Sequence, residues 1–325
     1  MSSRTRQRMA GPVLVTGASG GLGLETALYL AEQGLPVHAT VRDDATRQDV
    51  LRAAAERNVG LRVLRLDLTD PASIDQAVRT MVEEAGGIYA LVNNGGVGLR
   101  GCLEDLSDRE VRHLFETNVL GTLAVTRAVL PHMRLAGRGR VVTISSVGGR
   151  ISSFGVGAYC ASKFAQEGLG EALALEVAPF GIRSVLIEPG IIKTTRWTTN
   201  RGIAAGALDP GSPYREMFDA AEEVADRIVD RSRTRPVDVA KAVHRAITAE
   251  YPRMRYVVGR PASVVIRMRR FLPEPIFERV YFGPFLRRLR QARTGAATPP
   301  AAGPQTGSAA PPPADPRTGT RGGGA

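Results

Sequence analysis

Tyr159 and Lys163 lie four apart in the run Tyr159-Cys160-Ala161-Ser162-Lys163. On a helix that spacing puts both side chains on one face. A tyrosine hydroxyl can give or take a proton, but a free phenol titrates near 10, a poor match to neutral pH. A neighbouring ammonium favours the phenolate and draws that value down. A shift of about 3 units requires roughly 4 kcal/mol of differential interaction between the two protonation states. Lysine is scarce in this chain, three residues against 40 arginines, so a lysine at this spacing stands out. Cys160 points about 100° away from the shared face and is expected to be structural, as is Cys102.

A hydroxyl-rich strand end precedes this pair. Thr143-Ile144-Ser145-Ser146 closes an apolar run, and Ser146 stands thirteen residues before Tyr159. In an open parallel sheet, residues at the carboxyl ends of strands border the ligand crevice. A second feature lies near the N-terminus. There the first apolar run enters Thr16-Gly17-Ala18-Ser19-Gly20-Gly21-Leu22-Gly23, followed by a helical pattern. Glycines at a strand-to-helix turn permit a tight bend and let backbone approach a pyrophosphate. The helix N-terminus adds unpaired N–H groups and a favourable dipole.

These groups need elements to position them, and the apolar pattern supplies a rhythm of strands and helices. Candidate strands are Pro12–Thr16, Pro36–Val41, Leu61–Leu66, Ile88–Asn93, Arg140–Ile144, Ile182–Glu188 and Arg255–Gly259. Helical patterns fill 22–33, 44–57, 71–85, 107–134, 157–179 and 236–250. Asp70-Pro71 and Arg235-Pro236 read as helix starts. Near-continuous apolar strands alternating with helices predict an α/β fold, a doubly wound parallel sheet of about seven strands covered on both faces. The stretch 191–235 breaks the rhythm and carries Trp197, Tyr214, Met217 and Phe218, which suits a lid.

The glycine spacing TGxxxGxG, the Tyr-Lys pair and the upstream serine together resemble the short-chain dehydrogenase/reductase family, of the short single-domain type, over about residues 11–260. The resemblance implies a Rossmann fold and hydride transfer between a nicotinamide and a carbonyl/alcohol pair. Residue by residue, it makes Tyr159 the general acid/base and Lys163 the residue that lowers the tyrosine pKa and holds the nicotinamide ribose. Ser146 matches the group that hydrogen-bonds the substrate carbonyl. Asn118, in Glu116-Thr117-Asn118-Val119-Leu120-Gly121, matches an asparagine that supports a proton-relay water. Cofactor contacts are implied for Thr16, Gly17, Ser19, Gly21, Leu22 and Gly23, and for the pair Asp67-Leu68 at the adenine. They are also implied for Asn94, Gly95 and Gly96, for Tyr159 and Lys163, and for Pro189, Gly190, Ile192 and Thr194 beside the nicotinamide amide. One departure is visible: the family's NNAG reads Asn93-Asn94-Gly95-Gly96 here, which is expected to loosen the backbone slightly without loss of binding.

The resemblance also bears on cofactor choice. The position that is acidic in NAD-preferring members is Thr40, and a basic residue of NADP-preferring members falls at Arg42. An arginine accommodates a 2′-phosphate through charge-assisted hydrogen bonds. NADP(H) is therefore the expected preference. The neighbouring Asp43 and Asp44 leave NAD(H) as an alternative. The run Tyr159 to Leu169 most resembles the branch of 17β-hydroxysteroid and retinol dehydrogenases, which implies a lipophilic carbonyl or alcohol substrate; packing at a subunit interface would explain the same helix. A homodimer or homotetramer is expected on resemblance alone. A non-catalytic dinucleotide-binding or membrane scaffold is the rival reading, and the full set of Asn118, Ser146, Tyr159 and Lys163 argues against it.

Composition narrows the rest. The chain has 325 residues, 43% hydrophobic and 23% charged, which excludes a mostly disordered chain and a disulfide-stapled miniprotein. Two cysteines and four scattered histidines give no metal-ligand spacing, so no metal is expected. No apolar run reaches the roughly 18 residues of a membrane span, and the basic residues 1–10 lack a signal peptide's apolar core. The expected compartment is the cytoplasm. The net charge of +11 is concentrated in 251–293, where eleven arginines face Glu274 and Glu278. Arginine, aromatic and aliphatic residues interleave across 261–293. That suits either a helix lying in an anionic membrane interface or a helix docked beside the substrate entrance. No nucleic-acid motif accompanies the charge. Residues 294–325, with seven prolines, are expected to be a disordered tail.

Overall fold

The computed structural model describes residues 11–193 and 202–295. The basic residues 1–10, the expected tail from 296 onward, and Thr194 and Trp197 lie outside the described residues. Seven parallel strands form one sheet in the order β3-β2-β1-β4-β5-β6-β7. They are β1 (Val13–Val15), β2 (Val37–Val41), β3 (Arg62–Arg65), β4 (Ala90–Asn93), β5 (Gly139–Ile144), β6 (Ile182–Pro189) and β7 (Arg255–Val258). All seven fall on the predicted runs. The register is in step across the centre, with Val13 opposite both Val37 and Ala90.

The sheet holds because its strands bury both faces. In β1, Val13 and Val15 face one core and Leu14 the other, and in β4 Ala90 and Val92 oppose Leu91 in the same way. The first core is closed by helix α1 (Gly21–Glu32) and α8 (Pro236–Thr248), through Leu30, Val239 and Val243. The second is closed by α3 (Pro71–Ala85) and α5 (Thr122–Leu135), through Ile74, Met81, Val125 and Val129. Each such side chain contributes about 1.5–3 kcal/mol by burial. Helix α2 (Arg47–Glu56) flanks β2 and β3. The start of α3 is as read from sequence: Asp70 accepts from the N–H groups of Ala72 and Ser73, with Pro71 in the first turn.

The 107–134 pattern is not one uniform helix. Ser107 and Glu110 form a capping box that opens α4 (Asp108–Phe115). The backbone then widens into a π-helical turn over Glu116–Gly121 before α5 begins. Such turns shift side chains and carbonyls out of the ordinary helical phase and often mark functional positions. The longest catalytic-side element is α6 (Gly157–Val177).

The lid region departs from a loop. It contains α7 (Arg215–Asp230), whose Phe218 and Val229 are buried. A small apolar cluster of Leu99, Leu114, Ala158, Ala204, Ala207 and Phe218 fastens this region to the sheet domain. Main-chain bonds from Arg100 N to Gly202 O (2.7 Å) and from Ala204 N to Arg100 O (2.8 Å) fix its start. The basic extension forms α9 (Arg260–Phe271) and α10 (Glu274–Gly295). α10 packs on α7. Phe277 and Leu289 are its buried contacts, and Phe285 meets Phe154 with ring centroids 6.0 Å apart. The extension therefore docks on the domain.

Candidate active site

The glycine turn between β1 and α1 has the geometry of an anion cradle. Gly17 (φ +67°) and Gly21 (φ +57°) occupy the left-handed region, which other residues adopt only with strain. A Cβ on Gly17 would stand 2.6 Å from Gly95 Cα, and one on Gly23 would stand 2.3 Å from Gly17 O, so the turn is closed on its inner side. Gly20 and Gly21 look out on open space. No side chain caps the N-terminus of α1, and no acidic residue sits in its first turn. Those N–H groups and their dipole thus remain available to a pyrophosphate. Ser19 is exposed at the rim, while Leu22 packs back on the core.

Thr16 and Asn94 tie this turn to the end of β4. Thr16 Oγ1 accepts from Asn94 N and Gly95 N, each at 3.0 Å. Asn94 Nδ2 donates to Thr16 O and Gly17 O, at 3.0 and 3.1 Å. The glycine that stands for the family's alanine has a local cause: a Cβ on Gly95 would lie 2.7 Å from Leu68 Cδ1. The Leu68 methyl fills the place of the missing alanine methyl. A packed side chain, rather than loosened backbone, compensates at this position.

At the adenosine end, Thr40 is buried and its groups are occupied by the glycine turn: Ala18 N donates to Thr40 O at 2.8 Å and Gly17 N to Thr40 Oγ1 at 3.4 Å. Arg42 is exposed. Asp43 and Asp44 are both engaged elsewhere. The Asp43 carboxylate accepts from Thr46 N at 3.0 Å, and Asp44 accepts from Arg47 Nε at 2.9 Å. Asp67 accepts from Thr69 N and Oγ1 at 2.9 and 2.8 Å. Partial burial pushes its carboxyl up, but the Thr69 bonds together with Arg42 and Arg65 hold it below the usual range.

The catalytic candidates come together at the carboxyl ends of β4, β5 and β6. Ser146 follows β5 and accepts from Gly148 N at 3.0 Å. It lies close enough to the Tyr159 phenol to draw that group's pKa down. Lys163 lies one turn further along α6, its Nζ 5.9 Å from the Tyr159 ring centroid. The glycines at 148 and 149 let this loop press on α6: a Cβ on Gly149 would meet Ser145 Oγ at 2.7 Å and Lys163 O at 3.0 Å. Asn118, fully buried in the π turn, clamps the segment after β4. Its Oδ1 accepts from Val97 N (2.8 Å), and its Nδ2 donates to Val97 O (2.9 Å) and Ser162 Oγ (3.2 Å). Gly96 passes beside it.

The electrostatics differ from the expectation in one respect. Burial pushes the Tyr159 phenol up, while Ser146 acts the other way. The Lys163 ammonium is directed to Ile144 O and to Gln166 Oε1, each at 2.9 Å, rather than to the phenol. Burial pushes Lys163 down to about 8, against the opposing pull of Glu167. Gln166 was not among the sequence candidates. Its position three residues after Lys163 on the same helix was the signal available.

The segment that follows β6 is braced from behind. Glu188, buried at the end of β6, pairs with Arg150 at 2.9 Å and with Arg255 at 3.0 Å; Arg255 also pairs with Glu167 at 3.0 Å. Pro189 ends β6, and Gly190 N donates to Val258 O at 2.9 Å. A Cβ on Gly190 would lie 2.8 Å from Ala262 Cβ, so this glycine lets α9 sit against the segment. Ile192 is buried in the first core, and Lys193 pairs with Asp230 of α7 at 2.9 Å.

Comparison with known proteins places this geometry. The family model described as short chain dehydrogenase matches residues 12–203. A 3-ketodihydrosphingosine reductase of Bacteroides thetaiotaomicron is 35% identical over 268 residues, spanning 82% of this chain and 94% of that protein. Human 17-beta-hydroxysteroid dehydrogenase type 1 is 36% identical over 264 residues, 79% of this chain and 80% of that protein. Among solved structures, a variant of the actinorhodin polyketide ketoreductase with NADPH superposes with a TM-score of 0.63 at 32% identity. That match covers 73% of this chain and 90% of the other.

Proposed function

Because the chain belongs to the short-chain dehydrogenase family and is an alcohol/carbonyl oxidoreductase with a nicotinamide dinucleotide site, we propose that it reduces a lipophilic ketone or aldehyde at the expense of NADPH. The observation that carries the reading is the convergence of three groups beyond β5: Ser146 close enough to the Tyr159 phenol to draw its pKa down against burial, and the Lys163 ammonium 5.9 Å from the Tyr159 ring. The bound nicotinamide supplies the hydride. Gly17, Gly21 and the N-terminus of α1 would hold its pyrophosphate, and Arg42 the 2′-phosphate. Ser146 donates to the substrate carbonyl and fixes its direction. Tyr159 gives its proton to the same oxygen as negative charge develops there, and the Lys163 charge one turn away favours the phenolate that remains.

The lipophilic substrate class is supported by what surrounds the crevice. Phe154 and Phe285 form a tilted pair beside the loop that leads to Tyr159, and Tyr281 of α10 reaches the neighbourhood of Cys160. The two curated relatives compared carry names of a long-chain sphingoid ketone and a steroid. The test is loss of absorbance at 340 nm with NADPH and NADH in parallel, against long-chain ketones, steroid ketones, retinal and small aldehydes. Faster NADPH-dependent reduction of the lipophilic members is expected. Reduction confined to small aldehydes would reject the substrate class.

The same reading includes assembly and membrane contact. Exposed Phe164 and Leu175 on α6 support a dimer through that helix. On the outer faces of α9 and α10, Val264, Phe271, Ile276, Val280 and Leu286 are exposed among Arg267, Arg270, Arg279 and Arg287. Apolar side chains set among cations suit an anionic lipid surface. No helix among the described residues is long and apolar enough to cross a membrane, so contact would be peripheral. Full-length protein should co-sediment with vesicles containing phosphatidylserine, and Val264→Ser with Phe271→Ser and Val280→Ser should release it. These positions are exposed, so the substitutions spare the packing of α10 on α7. Equal sedimentation of both proteins would refute the contact.

A further inference from the structure

We propose that Gln166 is a positioning residue whose side-chain amide locks the Lys163 ammonium to the main-chain carbonyl of Asn118 and so joins the catalytic helix to the π turn. The inference rests on the reading of Lys163 as the partner of Tyr159. Gln166 is buried and fully committed: its Oε1 accepts from Lys163 Nζ at 2.9 Å, and its Nε2 donates to Asn118 O at 2.5 Å and Thr122 Oγ1 at 3.3 Å. Its amide has one orientation that serves both ends. An ammonium can only donate and a carbonyl can only accept, so the oxygen must face Lys163 and the nitrogen must face Asn118.

The π turn is the other half of the device. The Asn118 carbonyl takes the Thr122 hydroxyl at 2.8 Å as well as the Gln166 amide. Two side-chain donors therefore occupy the Asn118 carbonyl. An amide does not titrate, so it can hold the lysine but cannot pass its proton inward. Lys163 keeps two fixed acceptors, Ile144 O and Gln166 Oε1.

Only three lysines occur in the chain, which makes a direct test practical. Protein labelled at lysine Cε with carbon-13, without cofactor or substrate, would be titrated by NMR, the Lys163 signal being assigned by its loss in Lys163→Met. Gln166→Leu removes an acceptor from the charged form, so the Lys163 midpoint should fall by about one unit. Gln166→Glu keeps an acceptor there and should leave it at or above the wild-type value. Should the leucine variant fail to fold, Gln166→Met serves in its place. A rise toward an ordinary lysine in the apolar variant would mean that the substitution merely admits water, and an unchanged midpoint would mean that Gln166 does not hold the ammonium; either overturns the proposal. In turnover, Gln166→Leu should lower kcat about tenfold with KM for the carbonyl substrate within about twofold. Retained turnover in Tyr159→Phe would sink the catalytic reading while leaving the lysine titration to be judged separately.

Discussion

Replacing Tyr159 with phenylalanine is expected to lower carbonyl reduction by about a thousandfold or more while leaving NADPH binding within about twofold. A positioned general acid contributes typically about 10²–10⁴-fold, and here nothing else can take its place. Ser146 is too weak an acid to serve as the proton donor at neutral pH. Lys163 is turned to Ile144 O and Gln166. The ring itself can stay where it is, because it packs against the apolar cluster that contains Leu99, Leu114 and Phe218 and the substitution removes only the hydroxyl. Turnover followed at 340 nm, with NADPH affinity by fluorescence titration, separates the two quantities. Residual turnover within about tenfold of wild type would place the proton donor elsewhere. The wild-type rate of reduction should also fall as pH rises past about 8, where the buried Lys163 gives up its proton and the positive charge beside the phenol is lost.

The seven strands and the helices that cover them were legible in the chain because burial on both faces writes itself as short uninterrupted apolar runs. The helix Arg215–Asp230 was less so. Its apolar side rests on few residues, Phe218, Ala221 and Val229, and its charged majority blends into the surrounding polar stretch. The C-terminal extension was legible as amphipathic, but its sequence offers apolar residues to both sides. Phe277 and Leu289 turn inward while Ile276, Val280 and Leu286 stay outside, and only packing against α7 decides between them. In the site, the types and spacing of Ser146, Tyr159 and Lys163 are the sequence signal for the proposed chemistry. The link from Lys163 through Gln166 to Asn118 joins residues up to 48 apart and depends on a π turn that no local propensity announces. Spacing says that an ammonium is near the phenol, but not that its hydrogen bonds go to Ile144 O and Gln166 Oε1.

Changing Arg42 to alanine is expected to raise KM for NADPH by about ten- to a hundredfold and to leave KM for NADH within about threefold. The range follows from losing charge-assisted hydrogen bonds to a phosphate, about 1.5–3 kcal/mol when the donor is ionised. An acidic residue that could bind a free 2′-hydroxyl would have to be Asp43 or Asp44, but Asp43 caps the turn at Thr46 and Asp44 pairs with Arg47. Thr40 is buried under the glycine turn and bonded to it. Arg42 is the exposed cation adjoining these groups, near enough to help hold the Asp67 carboxyl in its ionised form. A 2′-phosphate would meet a guanidinium there, whereas the nearby Asp43 and Asp44 carboxylates are each already bonded to a neighbour. Initial rates with both cofactors at one fixed carbonyl concentration measure the ratio. Equal losses for NADPH and NADH would show that Arg42 only supports the turn, and the preference would then have to be sought in the glycine cradle itself.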